Sequence, residues 1–348
     1  MTVETTEHAG SAFGRQGRAA VLRGLGTYLP PRLVTNEELS RTLDTSDEWI
    51  RTRTGIRQRY WAEQGTATGD LAFEAGARAL KSAGVDAVDA VVLATSTPDH
   101  PCPGTAPDVA ARLGLGTVPA FDIAAVCAGF VYALASGASM IVSGLAARVL
   151  VIGAETYSTI LDPADRNTSV IFGDGAGAVV LEAGSPDDPG ALLDFDLGSD
   201  GGHKDLITVP AGGSRQRSEG PESDPSRFFF TMQGKQVFTH AVTRMGASSA
   251  ALLDRLGWDP ASVDRFVGHQ ANVRILHALS DHLGIDRDRA VVNLDQVGNT
   301  SAASIPLALA HGVDTGGIKA GERVLMTAFG GGLTWGSTAM VWPEINVV

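Results

Sequence analysis

Phe121-Asp-Ile-Ala-Ala-Val-Cys127-Ala-Gly-Phe130 is the stretch around which the rest of the chain is organised, and an apolar run continues it to about Val142. The pattern predicts a short buried strand, a tight turn and a helix that begins at or next to Cys127. Because unpaired N–H groups and the helix dipole favour an anion there, we expect a lowered pKa for the thiol. Cys127 is therefore a candidate nucleophile. On this stretch alone, a small buried hydrophobe is an equally good interpretation, since free cysteines commonly behave that way.

The composition indicates a well-packed globular protein and excludes several classes. With 44% hydrophobic and 19% charged residues, the 348 residues suffice for one large domain or two of ordinary size. The net charge of −12 argues against nucleic acid as a partner, because binding phosphates needs a basic surface. Two cysteines cannot form a disulfide framework, so we expect a cytoplasmic protein. No apolar run approaches the roughly 20 residues of a membrane span, so we expect no membrane association.

Strand and helix patterns alternate in two successive halves, which predicts an α/β fold. Residues 1–17 are polar, lack the apolar core of a signal peptide and are interpreted as a disordered tail. The two halves are residues 18–188 and 189–348. In the first we predict strands at 19–25, 88–94 and 148–153, helices at 68–83 and 108–113, and paired strands at 169–172 and 176–181. In the second, after a polar segment at 198–226, we predict helices at 234–256, 272–283 and 303–311, and strands at 265–268, 290–292, 323–328 and 337–341.

Three further turns carry residues with chemical potential. His269 ends a strand in Phe266-Val-Gly-His-Gln-Ala-Asn272, a common place for a catalytic group in α/β sheets. Asn299 lies in Val297-Gly-Asn-Thr-Ser-Ala-Ala-Ser304, and Phe329-Gly-Gly-Gly-Leu-Thr-Trp-Gly336 is a glycine run whose N–H groups could meet an oxyanion. Taken singly, each has an ordinary interpretation as a core histidine, a turn or N-cap asparagine, or a hairpin.

Taken together, these stretches match the motifs of a known protein family. With Asp44-Thr-Ser-Asp-Glu-Trp-Ile50, Thr52-Arg-Thr-Gly-Ile-Arg57 and Phe172-Gly-Asp-Gly-Ala-Gly177 they make seven matches in order. The chain resembles the β-ketoacyl-acyl carrier protein synthase III enzymes of the thiolase superfamily over residues 18–342. The resemblance implies a thiolase-like, five-layered αβαβα fold of two duplicated halves, the first with the nucleophilic Cys and the second with His and Asn. It also implies a homodimer with the active site between the halves.

The implied activity is an acyltransferase reaction of the ketosynthase type. Cys127 would accept the acyl group of an acyl-CoA starter, and a decarboxylative Claisen condensation with malonyl-acyl carrier protein would follow, with His269 and Asn299 as partners. The product, a β-ketoacyl-acyl carrier protein, would initiate fatty-acid or polyketide biosynthesis. Relatives that elongate carrier-bound chains use two histidines, so Asn299 favours the type III branch or the chalcone synthases. The latter tend to have Gly-Phe-Gly-Pro-Gly where this chain has Ala-Phe-Gly-Gly-Gly.

The resemblance also assigns binding residues. The N–H groups of Cys127 and Gly331 would form the oxyanion hole, and Phe172 and Phe329 would line the acyl pocket. Neither a metal nor a cofactor is expected, because acyl-CoA is a substrate. The residues that would bind coenzyme A are Trp49, Arg53, Arg166, Gly234, Asn272 and Arg274.

Three departures from the family bear on the substrate and the carrier. In Pro98-Asp-His-Pro-Cys-Pro103, Cys102 stands where the family's partner subunit often places a bulky apolar residue, so a longer or branched starter is expected. The carrier-docking positions that are often lysines are here Thr239, Asp281 and His282, which weakens the basic patch and suggests a dedicated carrier. The segment 198–226, which lies over the tunnel entrance in the family, is several residues longer.

Two alternatives stay open at this point. One is an acyltransferase of the same fold that moves the acyl group to oxygen, nitrogen or another nucleophile; the intact Asn299 argues mildly against it. The other is a non-catalytic thiolase-fold subunit that docks a partner synthase. Such subunits generally lose the nucleophile, whereas Cys127 is present.

Overall fold

The computed structural model describes residues 17–348, so the predicted tail lies outside the described residues except for Gly17. The strands are β1 (Ala19–Tyr28), β2 (Arg32–Thr35), β3 (Gln58–Trp61), β4 (Ala90–Ala94), β5 (Ala120–Ile123), β6 (Arg148–Glu155), β7 (Gly175–Gly184), β8 (Asp194–Ser199), β9 (Ile207–Thr208), β10 (Thr231–Met232), β11 (Arg265–Gly268), β12 (Arg323–Gly330) and β13 (Thr334–Val341). The helices are α1 (Asn36–Leu39), α2 (Asp47–Thr54), α3 (Thr68–Ala83), α4 (Ala106–Arg112), α5 (Gly129–Val142), α6 (Ser214–Glu219), α7 (Gly234–Leu256), α8 (Val273–Leu283), α9 (Leu294–Val297) and α10 (Ser304–Asp314).

Two mixed sheets form the frame of the molecule. The first has the strand order β1-β7-β6-β4-β5, with β4 parallel to both β5 and β6. The second has the order β11-β12-β13-β8, with β11 parallel to β12 and the other pairs antiparallel. Strand β4 is buried throughout and wholly apolar, as expected where helices cover both faces of a sheet. The predicted boundary at residue 188 falls between the last strand of the first sheet and the first strand of the second.

The helices complete five layers. Helix α3 packs on one face of the first sheet, α5 and α10 lie in the central layer, and α7 and α8 cover the far side of the second sheet. Close packing of α3 explains the glycine pair of β1, because a Cβ at Gly24 would lie 2.5 Å from the Ala79 carbonyl oxygen. The α/β, thiolase-like architecture expected from the sequence is confirmed. Within residues 17–348, none of the helices combines the length and apolar character needed to cross a bilayer.

Two predicted strands are wrong. Residues 169–172 form turns, because the Ser169 N–H bonds back to the Asp165 carbonyl and the buried Arg59 guanidinium takes the Val170 carbonyl. Strand β7 therefore pairs with β1 and β6 rather than with this segment. Residues 290–292 contribute only an isolated bridge between Ala290 and Phe266. A second isolated bridge, between Phe172 and Asn299, joins the first half of the chain to the second.

Candidate active site

Cys127 lies in a tight turn between β5 and α5. A 3-10 turn, Val126–Ala128, carries it, and the α-helix begins two residues later at Gly129. The glycine run that begins with the last residue of β12 packs against this turn, since a Cβ at Gly330 would lie 2.7 Å from the Cys127 nitrogen. The Thr334 hydroxyl lies 3.0 Å from the Ala125 carbonyl oxygen and 3.1 Å from that of Gly331. The second half of the chain thus fixes the backbone around the thiol.

His269 enters the site from the end of β11. Its backbone N–H donates to the Thr327 carbonyl at 2.8 Å, and its Nδ1 lies 2.6 Å from the Ser304 Oγ at the start of α10. The ring is buried, and burial lowers the pKa of His269 to about 3. At neutral pH the imidazole is therefore uncharged, with one nitrogen donating and the other accepting.

The neighbours of Ser304 select the tautomer of His269. The Ser304 Oγ accepts the Gln270 N–H at 3.4 Å, so its own proton is free to point at the histidine Nδ1. We therefore assign Nδ1 as the acceptor, which leaves the proton on Nε2. A neutral imidazole in this tautomer offers an Nε2–H donor to a group in the cavity.

Asn299 supplies a second donor. Its backbone N–H donates to the Ile171 carbonyl at 2.9 Å, and its carbonyl accepts the Gly173 N–H at 3.0 Å. Its side-chain oxygen accepts the Ser301 N–H at 2.9 Å. Because the oxygen is held in this way, the NH₂ end of the carboxamide is available to a bound substrate.

The three predicted catalytic side chains line one narrow, largely apolar cavity of about 40 Å³. Phe172 and Phe329, predicted for the acyl pocket, line it as well. The remaining lining residues are Ile207, Phe230, Met232, Val237, Ala241, Met245, Ala271 and Ile275. Segments from both halves of the chain are therefore needed to enclose the thiol.

The expected lowering of the Cys127 pKa is wrong. Burial raises the pKa of the thiol to about 12, and the Glu155 charge acts in the same direction, against a hydrogen bond with Ser301. The residue is buried, and the cost of desolvating a thiolate outweighs the favourable backbone dipoles. Cys127 is thus a thiol at rest and must lose its proton to a partner before it can act as a nucleophile.

Five of the six residues predicted to bind coenzyme A form a surface group near α2 and α8. The Arg53 and Arg166 guanidinium carbons lie 4.8 and 5.4 Å from the centre of the Trp49 ring. The Asn272 carboxamide donates to the Arg53 carbonyl at 3.0 Å and accepts the Arg274 N–H at 2.9 Å, capping α8. An adenine between Trp49 and Arg166 would need about 7 Å for two stacking contacts, so one side chain must move aside.

Two predicted positions lie apart from the others. Gly234 begins α7 on the surface, with open space around it, while Val237 one turn later lines the cavity. Cys102 is exposed and does not line the cavity of its own chain. The role predicted for it, in the acyl pocket of a partner subunit, stays a prediction.

Sequence reasoning missed several residues of the site. Tyr157 stacks on Phe172 with ring centres 4.5 Å apart, and Phe230 meets both rings edge-on. Phe230 and Met232 follow the segment 198–226 and line the cavity, and β10 pairs there with β9 from within that segment. Ser301 and Ser304 belonged to a motif already quoted, but nothing local in the sequence indicated their partners.

Comparison with known proteins gives a consistent result. A family model described as 3-oxoacyl-[acyl-carrier-protein] synthase III matches residues 121–201, and its C-terminal counterpart matches residues 253–342. The chain is 69% identical over 330 residues to beta-ketoacyl-[acyl-carrier-protein] synthase III 5 of Streptomyces coelicolor, covering 95% of this chain and 99% of that protein. The synthase III of Pseudomonas aeruginosa PAO1 is 54% identical over 328 residues, covering 94% of this chain and 98% of that protein.

Solved structures are similar over nearly the same range. The crystal structure of the synthase III of Pseudomonas aeruginosa PAO1 superposes with a TM-score of 0.89 at 52% identity, covering 94% of this chain and 99% of the other. The priming β-ketosynthase of the R1128 polyketide pathway superposes with a TM-score of 0.86 at 36% identity, covering 95% and 98%.

Proposed function

The chain belongs to the β-ketoacyl-acyl carrier protein synthase III family, and from this premise we propose that it condenses an acyl-CoA starter with malonyl-acyl carrier protein. The reaction is a decarboxylative Claisen condensation that yields a β-ketoacyl-acyl carrier protein and initiates fatty-acid or polyketide synthesis. The observation that carries the proposal is the meeting of the buried Cys127, His269 and Asn299 side chains in one largely apolar cavity.

The first half-reaction is acyl transfer to sulfur. The Cys127 thiolate attacks the acyl-CoA carbonyl and expels the coenzyme A thiolate, which leaves a thioester on the enzyme. We propose that the N–H groups of Cys127 and Gly331 meet the oxyanion. Contacts of the glycine run with the Cys127 turn support this role, because they hold the two backbone segments together. Loss of one donor of this kind typically costs about 100-fold or more in rate.

The second half-reaction needs neutral donors. When the malonyl thioester loses carbon dioxide, negative charge develops on its thioester oxygen. The His269 Nε2–H and the Asn299 NH₂ group would share that charge, and their burial strengthens both hydrogen bonds. A positively charged histidine is not needed, which fits a His269 pKa of about 3. The enolate then attacks the acyl-Cys127 carbonyl.

Acyl-CoA is proposed to lie across Trp49, Arg53 and Arg166, with its pantetheine arm entering past Asn272 and Gly234. Three features support this path: the guanidinium groups on the indole face, the Asn272 cap at the start of α8, and cavity-lining Ala271 and Ile275 on either side of it. Arg274 follows Asn272 on the exposed side of α8, where a phosphate would meet it.

A homodimer would complete the acyl pocket. Strand β5 is the edge of the first sheet and presents Phe121, which is 40% exposed. Edge strands with unpaired backbone groups are templates for pairing with another chain. The Cys102 loop is anchored to this edge, since Asp122 accepts the Thr105 and Ala106 N–H groups at 2.7 Å. Pairing along β5 would carry Cys102 to the partner's cavity.

The carrier is proposed to dock beside α7 and α8 on a weak basic patch. Arg244 is neutralised by Asp200 at 2.9 Å, and Asp281 is paired with Arg287, so Lys235 and Arg274 provide the remaining charge at the predicted docking positions. This supports a dedicated carrier, and equal use of a fatty-acid carrier in a condensation assay would contradict it. On the cysteine content and charge, we propose a cytoplasmic enzyme.

The test measures the mass of the intact protein after acyl-CoA is added, with and without malonyl-acyl carrier protein. We expect an acyl adduct on wild type, none on Cys127→Ala, and loss of the adduct with formation of β-ketoacyl carrier when the malonyl carrier is present. Acylation without a malonyl-dependent product would favour transfer to oxygen or nitrogen. Absence of acylation would favour a non-catalytic subunit.

A further inference from the structure

Glu155 is a buried acid that the condensation described above does not use. It ends β6 beside the Cys127 turn and has no exposed surface. Within residues 17–348 it makes no salt bridge with a lysine, arginine or histidine. A carboxylate in such a place is costly unless hydrogen bonds replace its water, so its surroundings need an explanation.

Polar groups from two segments surround this carboxylate. The Ser96 N–H lies 3.1 and 3.0 Å from its two oxygens, and the Thr97 hydroxyl donates to Oε2 at 2.8 Å. The Ser301 hydroxyl donates to Oε1 at 3.0 Å. These donors favour the charged form, but burial outweighs them and raises the pKa of Glu155 to about 7. The carboxyl can therefore gain or lose a proton near neutral pH.

The titratable groups facing Glu155 are the Cys127 thiol and the Tyr157 phenol. Burial raises the pKa of both, so both are neutral at rest. Residues 95–97 and 301–302, which hold the carboxylate, carry no ionisable side chain. Of these two groups only the thiol has to lose its proton in the proposed reaction, so a proton that moves to Glu155 during acylation comes from Cys127.

Ser301 connects the thiol to the carboxylate. An ionised carboxylate only accepts hydrogen bonds, so the single hydroxyl proton of Ser301 points at Glu155. The turn that carries Cys127 packs against the turn that carries Ser301, and the Ser301 hydroxyl lowers the pKa of the thiol. With its proton pointing at Glu155, the Ser301 oxygen is the atom left to accept the S–H of Cys127. The three groups form a chain in which every proton points from the sulfur towards the acid.

The backbone holds this chain in place at a cost. Ser301 has a φ of 49° and Val126, next to Cys127, a φ of 47°, in the left-handed region that residues with a Cβ avoid. The Asn299 side chain holds the Ser301 N–H at 2.9 Å. Such conformations persist where the surroundings over-determine them and cluster at active sites. One strained residue precedes Cys127 in the chain, and the other carries the hydroxyl that faces the thiol.

We propose that Ser301 and Glu155 form a proton relay that takes the Cys127 proton before acylation and stores it while the acyl group is on sulfur. The inference rests on the proposed condensation. In acylation the S–H bond breaks, Ser301 accepts that proton and passes its own to Glu155, and the resulting thiolate attacks the acyl-CoA. The departing coenzyme A thiolate takes a proton from solvent.

Condensation returns the stored proton. The malonyl thioester loses carbon dioxide, its carbanion forms the new C–C bond, and the C–S bond to Cys127 breaks. The expelled thiolate then regains a proton from Glu155 through Ser301, which restores the neutral thiol and the carboxylate. Over the cycle one proton is consumed from solvent, as the loss of carbon dioxide from a malonyl carboxylate requires.

The test follows the rate of Cys127 acylation against pH by quenched-flow mass spectrometry on the full chain. In wild type the rate should fall as pH drops through about 7, where Glu155 gains its own proton. In Glu155→Gln the rate near pH 8 should fall about 100-fold, a typical contribution of a positioned base. The acid-side fall should also disappear, while the KM for acyl-CoA stays unchanged.

Ser301→Gly separates the relay from a structural role. Glycine adopts a φ of 49° without strain, so this variant removes the hydroxyl while the backbone conformation and Glu155 stay in place. We expect the same loss of acylation rate. Asp174→Asn is the matched control, because Asp174 is equally buried and holds the Ala62 and Ser158 N–H groups at 2.7 and 2.8 Å without touching Cys127.

The outcomes are distinct. The relay is overturned if Ser301→Gly is acylated at the wild-type rate and still shows the wild-type fall in rate below about pH 7. This variant decides the question if Glu155→Gln does not fold. The relay is also overturned if the acylation rate falls equally in Asp174→Asn and Glu155→Gln and both variants keep the fall in rate at low pH. If the wild-type protein itself is never acylated, the proposed condensation fails. Failure of the relay alone would instead leave wild type acylated.

Discussion

Replacement of Ser304 by Ala tests whether one hydroxyl sets the proton position on His269. The Ser304 Oγ lies 2.6 Å from Nδ1, and the ring is 4% exposed, so water cannot readily take its place. In Ser304→Ala, Nδ1 becomes a buried acceptor without a donor, which costs about 1–3 kcal/mol. At about 1.4 kcal/mol per tenfold change in rate, the loss in the step that uses the Nε2–H is about 5- to 150-fold.

The loss should fall on condensation alone. In the proposed mechanism, acylation uses Cys127, its proton relay and backbone N–H groups, whereas decarboxylation uses the histidine donor. The assay first forms acyl-Cys127 and then measures carbon dioxide released from malonyl carrier in a single turnover; acylation is measured separately by intact mass. Ser304→Thr keeps the hydroxyl and should restore most of the rate. Ser280→Ala removes another fully buried serine hydroxyl, on α8, and should leave both steps unchanged.

Two results would refute this reasoning. Equal losses in acylation and condensation would mean that Ser304 acts on the shape of the whole cavity. A wild-type condensation rate in Ser304→Ala would mean that the Nε2–H tautomer forms without help.

The remaining predictions concern binding, pH and starter choice. Arg166→Ala should raise the KM for acyl-CoA about 2- to 30-fold through loss of the guanidinium contact with the adenine that is proposed to stack on Trp49, leaving kcat and the KM for an acyl-cysteamine thioester unchanged. An equal effect on the short thioester would contradict this. Because the pKa of His269 is about 3 when folded and 6.5 ordinarily, the unfolded chain takes up a proton first. The unfolding free energy of wild type should therefore fall relative to His269→Gln as pH drops from 6.5 towards 3; parallel denaturant curves across that window would count against it. Cys102→Phe should shift preference towards acetyl-CoA over a branched starter by roughly 10- to 200-fold, with Cys102→Ala as control, and an unchanged preference would reject the partner-loop assignment.

Local patterns were sufficient where one element dictates its own structure. Helices α3 and α7 and strand β11 were predicted with the bounds observed, because apolar periodicity and a following Gly84 or Gly257 mark the two helices. The predicted strands at 169–172 and 290–292 were wrong because contacts with distant residues set the backbone conformation of these segments. The Arg59 side chain, from β3, takes a carbonyl that a strand would need.

The candidate site also has a part that the sequence predicted and a part that only the structure revealed. Quoted motifs alone identified Cys127, His269 and Asn299, since residue types in a fixed order carry the family resemblance. They could not reveal that the thiol is desolvated, that Ser304 sets the histidine tautomer or that Glu155 lies at the end of a hydrogen-bonded chain.

Sequence by itself therefore predicted the fold from periodicity, and the candidate nucleophile Cys127 with its two partners from the family motifs, because both can be read along the chain. Only the tertiary structure decided the protonation state of the thiol. Near the start of a helix, a cysteine is expected to ionise readily, but the apolar cavity assembled from both halves removes the water that would stabilise the anion. Burial depends on residues hundreds of positions apart, and this is why the stretch at 121–130 offered only a candidate nucleophile and did not indicate how the thiol would be activated.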